Sequence, residues 1–369
     1  MELFKNLYND KFFGFFTQAM GEVYPDFDKP AFIDYIYDAA WEQRELKQRM
    51  RHITEALNQQ LPDDFEQSTK LLLSCIRQLE QNGLKEHSVE YMFVPDYIEC
   101  YGLEDLPTSI SAMEEITQFT SCEFAVRPFI IRYPNEMMKQ MLAWSTHDNF
   151  KVRRLASEGC RPRLPWAMAL PELKKDPSPI QPILENLKND ETDFVRRSVA
   201  NNLNDIAKDH PDLVIETVKR WKGQTSETDW IVKHASRTLL KQGNAELMQL
   251  FGFGSTETIK LSAFKVHTPK ITLGENLEFS FSLKNMAKEV AKIRVEYGIY
   301  YQKANGTLSR KVFKISEKEY APNSSTSIER KQHFKPITTR VYHSGKHQVS
   351  IIINGVEIDK KDFTLSIPQ

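Results

Sequence analysis

The residues best suited to chemistry in this chain lie in Ser157-Glu158-Gly159-Cys160-Arg161-Pro162-Arg163-Leu164-Pro165-Trp166. Winding Asp148 to Arg161 as a helix, at about 100° per residue, puts Val152, Leu155, Ala156 and Gly159 on one apolar face. Lys151, Arg154, Glu158 and Arg161 then share an adjoining face, with Trp166 five residues beyond Arg161. Three cations around one carboxylate suit a site that grips phosphate and offers an anion to developing positive charge. The plainer reading is a solvated helix face closing in a Pro-bounded loop, and the surrounding elements must decide between the two.

Those elements repeat. Val152-Arg-Arg-Leu-Ala, Val195-Arg-Arg-Ser-Val-Ala and Val232-Lys-His-Ala-Ser recur 43 and then 37 residues apart. Each follows an aspartate (Asp148, Asp193 and Asp229), which the pattern places as the helix cap, and second helices such as Leu213 to Trp221 lie between them. Units of roughly 40 residues made of paired helices predict a HEAT-like α-solenoid. On the second repeat helix Arg197, Asn201 and Asp205 fall at i, i+4, i+8. Lys233, Arg237 and Lys241 form a similar stripe further on. Trp144, Trp221 and Trp230 read as core. Residues 1–110 also read as helical, with loops at Tyr24-Pro25-Asp26, Leu61-Pro62-Asp63-Asp64 and Val94-Pro95-Asp96. Phe12, Phe13, Phe15 and Phe16 supply core or docking contacts there. Lys47, Arg49 and Arg51 fall on the surface of a helix whose apolar side is Leu46, Met50, Ile53 and Leu57.

After Phe251-Gly-Phe-Gly254 the period changes from helical to alternating, as in Leu277–Leu283, Ile293–Tyr300, Val349–Ile353 and Phe363–Ile367. With turn signals at Asn305-Gly306, Ser344-Gly345 and Asn354-Gly355, about seven short strands predict an immunoglobulin-like β-sandwich. The expected organisation is a helical domain over 1–254 and a sandwich over 255–369. Lys303, Arg310, Lys311 and Lys314 surround the Asn305-Gly306 turn. A cationic hairpin can enter a DNA groove, and lysines on a sheet edge also discourage aggregation.

A net charge of −1 conceals strong segregation. Residues 1–138 hold 12 Lys+Arg against 24 Asp+Glu, residues 139–241 hold 18 against 14, and residues 255–369 hold 19 against 11. Basic surfaces of this kind suit a polyanion, because neutralised phosphates release counterions. The same asymmetry also fits two domains that pair with each other. No apolar run approaches the roughly 20 residues needed to cross a bilayer, and Met1-Glu-Leu-Phe-Lys lacks the marks of a secretory leader. Cys75, Cys100, Cys122 and Cys160 have neither CxxC pairing nor histidine partners at ligand spacing, so they read as reduced thiols. A cytoplasmic monomer without metal or other cofactor is expected.

Taken together, Leu46-Lys-Gln-Arg-Met-Arg-His-Ile53, Glu123-Phe124 with Arg127-Pro128-Phe129, the block Arg153 to Trp166, and Asp193 to Asp205 resemble the AlkC/AlkD-type DNA alkylation-repair glycosylases. The resemblance is strongest to the AlkC branch, part of which carries an immunoglobulin-like tail. It implies excision of cationic N-alkylated bases, 3-methyladenine and 3-methylcytosine, from double-stranded DNA, without conventional base flipping. It implies Glu123, Glu158 and Asp205 as candidate catalytic carboxylates, Trp166 against the damaged nucleotide, and Phe124 among the DNA-binding residues. Arg154, Arg161 and Arg163 would hold phosphates, and Lys151, Arg197, Lys233, Arg237, Arg310 and Lys311 would extend the DNA-binding surface. No lysine stands out as a Schiff-base nucleophile, which favours a monofunctional hydrolase. A non-catalytic DNA-binding protein or a HEAT-repeat protein scaffold is the competing reading.

Overall fold

The structure, a computed structural model, describes residues 4–84, 89–337 and 340–368. Residues 1–3, part of the stretch read above for a leader, lie outside them. The described residues form sixteen α-helices followed by eight strands. No helix among them is long and apolar enough to cross a membrane.

The repeat motifs sit on three inner helices, Phe150–Gly159, Asp193–Ile206 and Ser226–Ala235, which pack successively against one another. Val152, Val195 and Val232 are all buried where those helices meet their neighbours. The second helices Pro134–Trp144 and Pro211–Trp221 each start with proline, where the missing N–H leaves no helical bond unmade. They end in buried tryptophans whose indole N–H groups donate to Glu114 (2.6 Å) and Glu185 (2.9 Å). Trp230 departs from the core expectation. It is 38% exposed and stacks on His234 one turn along its own helix, 5.1 Å between ring centroids.

The aspartates do not cap these helices as expected. Asn149 caps the first by accepting from the Lys151 N–H, and Asp190 accepts from the Thr192 N–H and hydroxyl before the second. Asp229 lies inside the third and accepts from the Gly223 N–H. Short Asx side chains can bond a nearby N–H from several positions around a turn, so spacing alone misassigned the cap.

In the N-terminal region Phe13, Phe16, Phe32 and Phe93 form a buried aromatic cluster with ring centroids 5.1–6.4 Å apart. Val94-Pro95-Asp96 is helical rather than a loop, inside the helix Phe93–Tyr101. Pro95 falls in the first turn, where no N–H partner is required. Arg49, expected on the surface, is buried, with its guanidinium 4.4 Å from the Trp41 ring and donating to the Lys5 carbonyl.

The strands are β1 Ile259–Val266, β2 Lys270–Thr272, β3 Asn276–Asn285, β4 Ala291–Gln302, β5 Leu308–Tyr320, β6 Ser325–His333, β7 Gly345–Ile353 and β8 Val356–Ser366. They form two sheets, ordered β1-β3-β6 and β2-β8-β7-β4-β5. The alternating side chains Leu277, Phe279, Phe281 and Leu283 of one sheet and Ile293, Val295, Ile299, Val349 and Ile351 of the other fill the core of an Ig-like sandwich. Asn354-Gly355, with φ of 45° and 82°, makes the two-residue turn between β7 and β8. Ser344-Gly345 instead starts β7 and joins no hairpin.

The chain forms two compact units, residues 1–235 and 236–369. The short helices Arg237–Gln242 and Ala245–Leu250 therefore go with the strands, upstream of the change in pattern at residues 252–258. Within the second unit the β7–β8 turn presses on the end of the first of these helices. A Cβ on Gly355 would lie 2.5 Å from the Gly243 Cα. Gly355→Ala therefore combines a strained left-handed φ with a backbone clash. It is expected to destabilise the second unit by about 1–3 kcal/mol in urea unfolding, while Gly254→Ala, with open space around it, stays within about 0.5 kcal/mol.

Candidate active site

Three elements bring the sequence-predicted carboxylates together. Glu123 lies just before the helix Val126–Arg132, Glu158 in the last turn of Phe150–Gly159, and Asp205 in the last turn of Asp193–Ile206. Arginines link them into one chain. The Glu123 Oε2 accepts from Arg154 Nη1 at 2.6 Å and from the Ser121 hydroxyl at 2.9 Å. Arg154 Nη2 lies 3.7 Å from Glu158 Oε1, which accepts from Arg161 Nη1 at 2.5 Å. Arg161 Nε and Nη2 reach Asp205 Oδ2 at 2.9 and 2.8 Å, and Lys208 donates to its Oδ1 at 2.9 Å.

The position of two of these acids is itself electrostatically meaningful. Helix C-termini carry partial negative charge, so Glu158 and Asp205 concentrate an anionic potential where two helices end. Glu158 and Asp205 are 5% and 2% exposed, and Arg161 between them is 6% exposed. Burial works against the Arg161 charge, but Glu158 and Asp205 outweigh it and hold this guanidinium above its usual range. The expectation of Arg161 as a phosphate contact is corrected by this geometry. Its Nε, Nη1 and Nη2 all point at carboxylates and its side chain is buried. The polar stripe expected for Arg197, Asn201 and Asp205 likewise splits, with Arg197 at the surface and Asp205 buried.

Arg127 belongs to one of the motifs above, but its type and spacing mark no role for it. Its fully buried guanidinium donates from Nε to the Met168 carbonyl (2.6 Å) and from Nη1 to those of Gly159 and Arg161 (2.9 Å each). Burial pushes its pKa down to about 10. These bonds clamp the loop that follows the repeat helix. Nothing in residue spacing marks carbonyl acceptors, so only the fold could reveal this clamp. Asn202 adds a brace by donating to the Ser157 carbonyl at 2.8 Å.

The clamped loop presents Trp166 in a left-handed conformation (φ 66°) and 70% exposed. Lys47 donates to the Trp166 carbonyl at 2.9 Å and sits 5.0 Å from the Phe124 ring centroid, so one cation links the Trp166 backbone to the Phe124 ring. Arg51 is committed to Asp96 through two bonds of 2.8 and 2.9 Å. Phe124 borders a cavity of about 430 Å³ with Lys47, Arg51 and Glu55. Glu123, Arg154, Lys151 and Phe194 border another of about 310 Å³.

The remaining predicted cations are less uniform than their spacing suggested. Lys151 donates to the Gln118 carbonyl at 2.7 Å, and burial lowers its pKa. Arg163 makes a two-bond pair with Asp209, and exposed Arg197 pairs with Asp193 at 2.6 Å. Lys233 and Arg237 lie on separate helices that break at Ser236, so the stripe through Lys241 is not one continuous helix face. Arg310 and Lys311 are neighbours on edge strand β5 and so point to opposite faces of the sheet.

Removing Arg161 leaves two buried carboxylates short of their shared cation. Arg161→Met is expected to cost about 3–5 kcal/mol in urea unfolding. Arg163→Ala, which breaks a far more exposed pair, is expected to cost about 1 kcal/mol or less. Equal losses would show that the Arg161 pairs carry no special weight in the fold.

Comparisons with known proteins identify the family. Residues 108–239 match the model of the DNA alkylation repair enzyme family, and residues 260–367 match that of the C-terminal Ig-like domain of the uncharacterised protein YhaZ. The uncharacterised protein YhaZ of Bacillus subtilis (strain 168) is 43% identical over 359 residues, covering 97% of this chain and 98% of that one. The solved Pseudomonas fluorescens alkylpurine DNA glycosylase AlkC, bound to DNA containing an abasic site analog, aligns with a TM-score of 0.92 at 36% identity. That alignment covers 99% of this chain and 100% of the other. The chain thus belongs to the DNA alkylation repair enzyme family, with the AlkC-like fold of a helical region followed by an Ig-like domain.

Proposed function

We propose that this protein is a monofunctional DNA glycosylase that hydrolyses the N-glycosidic bond of cationic alkylated bases, 3-methyladenine and 3-methylcytosine, in duplex DNA. The observation that carries this reading is the single chain of ion pairs joining Glu123, Glu158 and Asp205. The likeness to a glycosylase bound to abasic-site DNA supports it.

A base already carrying positive charge leaves with the C1′–N electron pair and becomes neutral, so no strong general acid is needed. The sugar left behind is electron-deficient at C1′. Carboxylates at two helix C-termini stabilise that charge, and one of them orients the attacking water and takes its proton as the C1′–O bond forms. The products are the free base and an abasic site. In this scheme Arg161 fixes two of the acids in place. Arg154, Lys151, Arg163, Arg197 and Lys233 supply phosphate contacts, and the exposed pairs of Arg163 and Arg197 exchange partners at little cost. Trp166, on the loop that Arg127 holds in place, and Phe124 pack against the damaged nucleotide. The protein acts as a monomer, and Arg237, Arg310 and Lys311 add DNA affinity from the second unit.

Three measurements test the reading. Glu123→Gln, Glu158→Gln and Asp205→Asn are each expected to spare DNA affinity while single-turnover release of base from a defined 3-methyladenine duplex falls roughly 10²–10³-fold. Parental rates in all three would move the active site elsewhere, and release of no base by the parent protein would leave the scaffold and DNA-binding alternatives standing. Excision is expected to survive EDTA, since the sequence lacks clustered Cys/His ligands. Loss in EDTA with recovery on one divalent metal contradicts that. Arg310→Ala with Lys311→Ala is expected to lower the salt dependence of duplex affinity by about 1 per cation lost.

A further inference from the structure

The N-terminal halves of the three inner helices each hold an aromatic ring at the surface. Phe150, Phe194 and Trp230 are 36%, 48% and 38% exposed, although helix N-termini in a repeat protein need no apolar surface there. They stand on consecutive packed helices, one ring to each. Phe150 and Phe194 meet edge to face at 6.3 Å, and the Arg154 guanidinium lies 4.3 Å from the Phe194 centroid. Trp230 stacks on His234, whose ring contacts Asn201 on the helix before it.

The charges around these rings narrow the ligand. Lys151 and Arg154 border the cavity that Phe194 lines. Of the neighbouring acids, Asp190 is taken by Arg153, Asp193 by Arg197, and Asp229 by the Gly223 N–H. Aromatic faces interleaved with cations are the chemistry that binds a polyanion carrying flat rings. A duplex supplies the phosphates but hides the faces of its bases, whereas an unpaired strand exposes both.

We propose that Phe150, Phe194 and Trp230 form a stacking track for unpaired nucleobases, so that the protein binds single-stranded DNA along its inner helices in addition to duplex. The inference rests on the DNA-glycosylase reading for its setting, and it adds a second substrate class. A base methylated on its pairing face is already poorly paired, and the track would hold the bases beside it. Phe194 joins the track to the carboxylate chain through Arg154.

The test uses the full-length protein and a labelled thymidine oligonucleotide of about a dozen nucleotides, with a duplex of the same length as the reference. The Phe150→Ala/Trp230→Ala double variant is expected to lose roughly tenfold or more in single-strand affinity per ring removed. Duplex affinity is expected to stay within about twofold, set by phosphate contacts. Phe150→Tyr/Trp230→Phe, which keeps a ring at both positions, should retain single-strand binding, and Trp230 emission should change when the oligonucleotide binds. Unchanged single-strand affinity in the alanine variant overturns the proposal. So does equal loss on both ligands, which would indicate a general phosphate surface, or a self-association lost in the variant without change in single-strand binding. Base release from alkylated duplex is scored separately. Its absence in the parent protein would remove the glycosylase reading while single-strand binding still judged the track.

Discussion

The site depends on one buried cation. Arg161 lies between Glu158 and Asp205, two acids that would each be costly to bury alone. Taking three charges from water is offset only where their hydrogen bonds are nearly complete, and here the guanidinium donates from three nitrogens to the two acids. Folding thus stabilises a concentration of negative charge that an isolated helix surface would not hold. That negative potential is what a departing cationic base, and the sugar it leaves behind, would need.

The helical repeats explain how such a cluster forms from distant residues. Successive inner helices run side by side, so equivalent positions line up across the stack. The last turns bring Glu158 and Asp205 within reach of one arginine, while the N-terminal halves expose Phe150, Phe194 and Trp230. Cations in between, such as Arg154, contact both zones by pairing with Glu123 while resting on Phe194. Arg127 then secures the loop leaving the first inner helix. Its three carbonyl acceptors span residues 159 to 168, so the Trp166 backbone is fixed from one side by Arg127 and from the other by Lys47.

The second unit uses different physics. Its core comes from alternation on two sheets, and edge strand β5 carries Arg310, Lys311, Lys314 and Lys318. Such an edge resists pairing with another chain, and the same residues add positive potential.

Sequence alone determined the elements whose cause is local. The valine-led repeats gave the inner helices, the 2-residue alternation gave the sandwich strands, and the Asn354-Gly355 turn was marked by residues that tolerate positive φ. Glu123, Glu158 and Asp205 were legible because a resemblance tied together motifs that helical spacing only grouped. What tertiary structure alone decided was the partner of each charge. Spacing put Arg161 on a cationic face, but the neighbouring helix supplied Asp205 and turned it inward. Arg49 was drawn inward by Trp41, while Pro95 escaped its loop because it fell in a first helical turn. Arg127 had no readable role, since its acceptors are backbone carbonyls that become neighbours only after the loop closes. Helix and strand periods are set by contacts a few residues apart, whereas ion pairing and burial are set by elements more than thirty residues away.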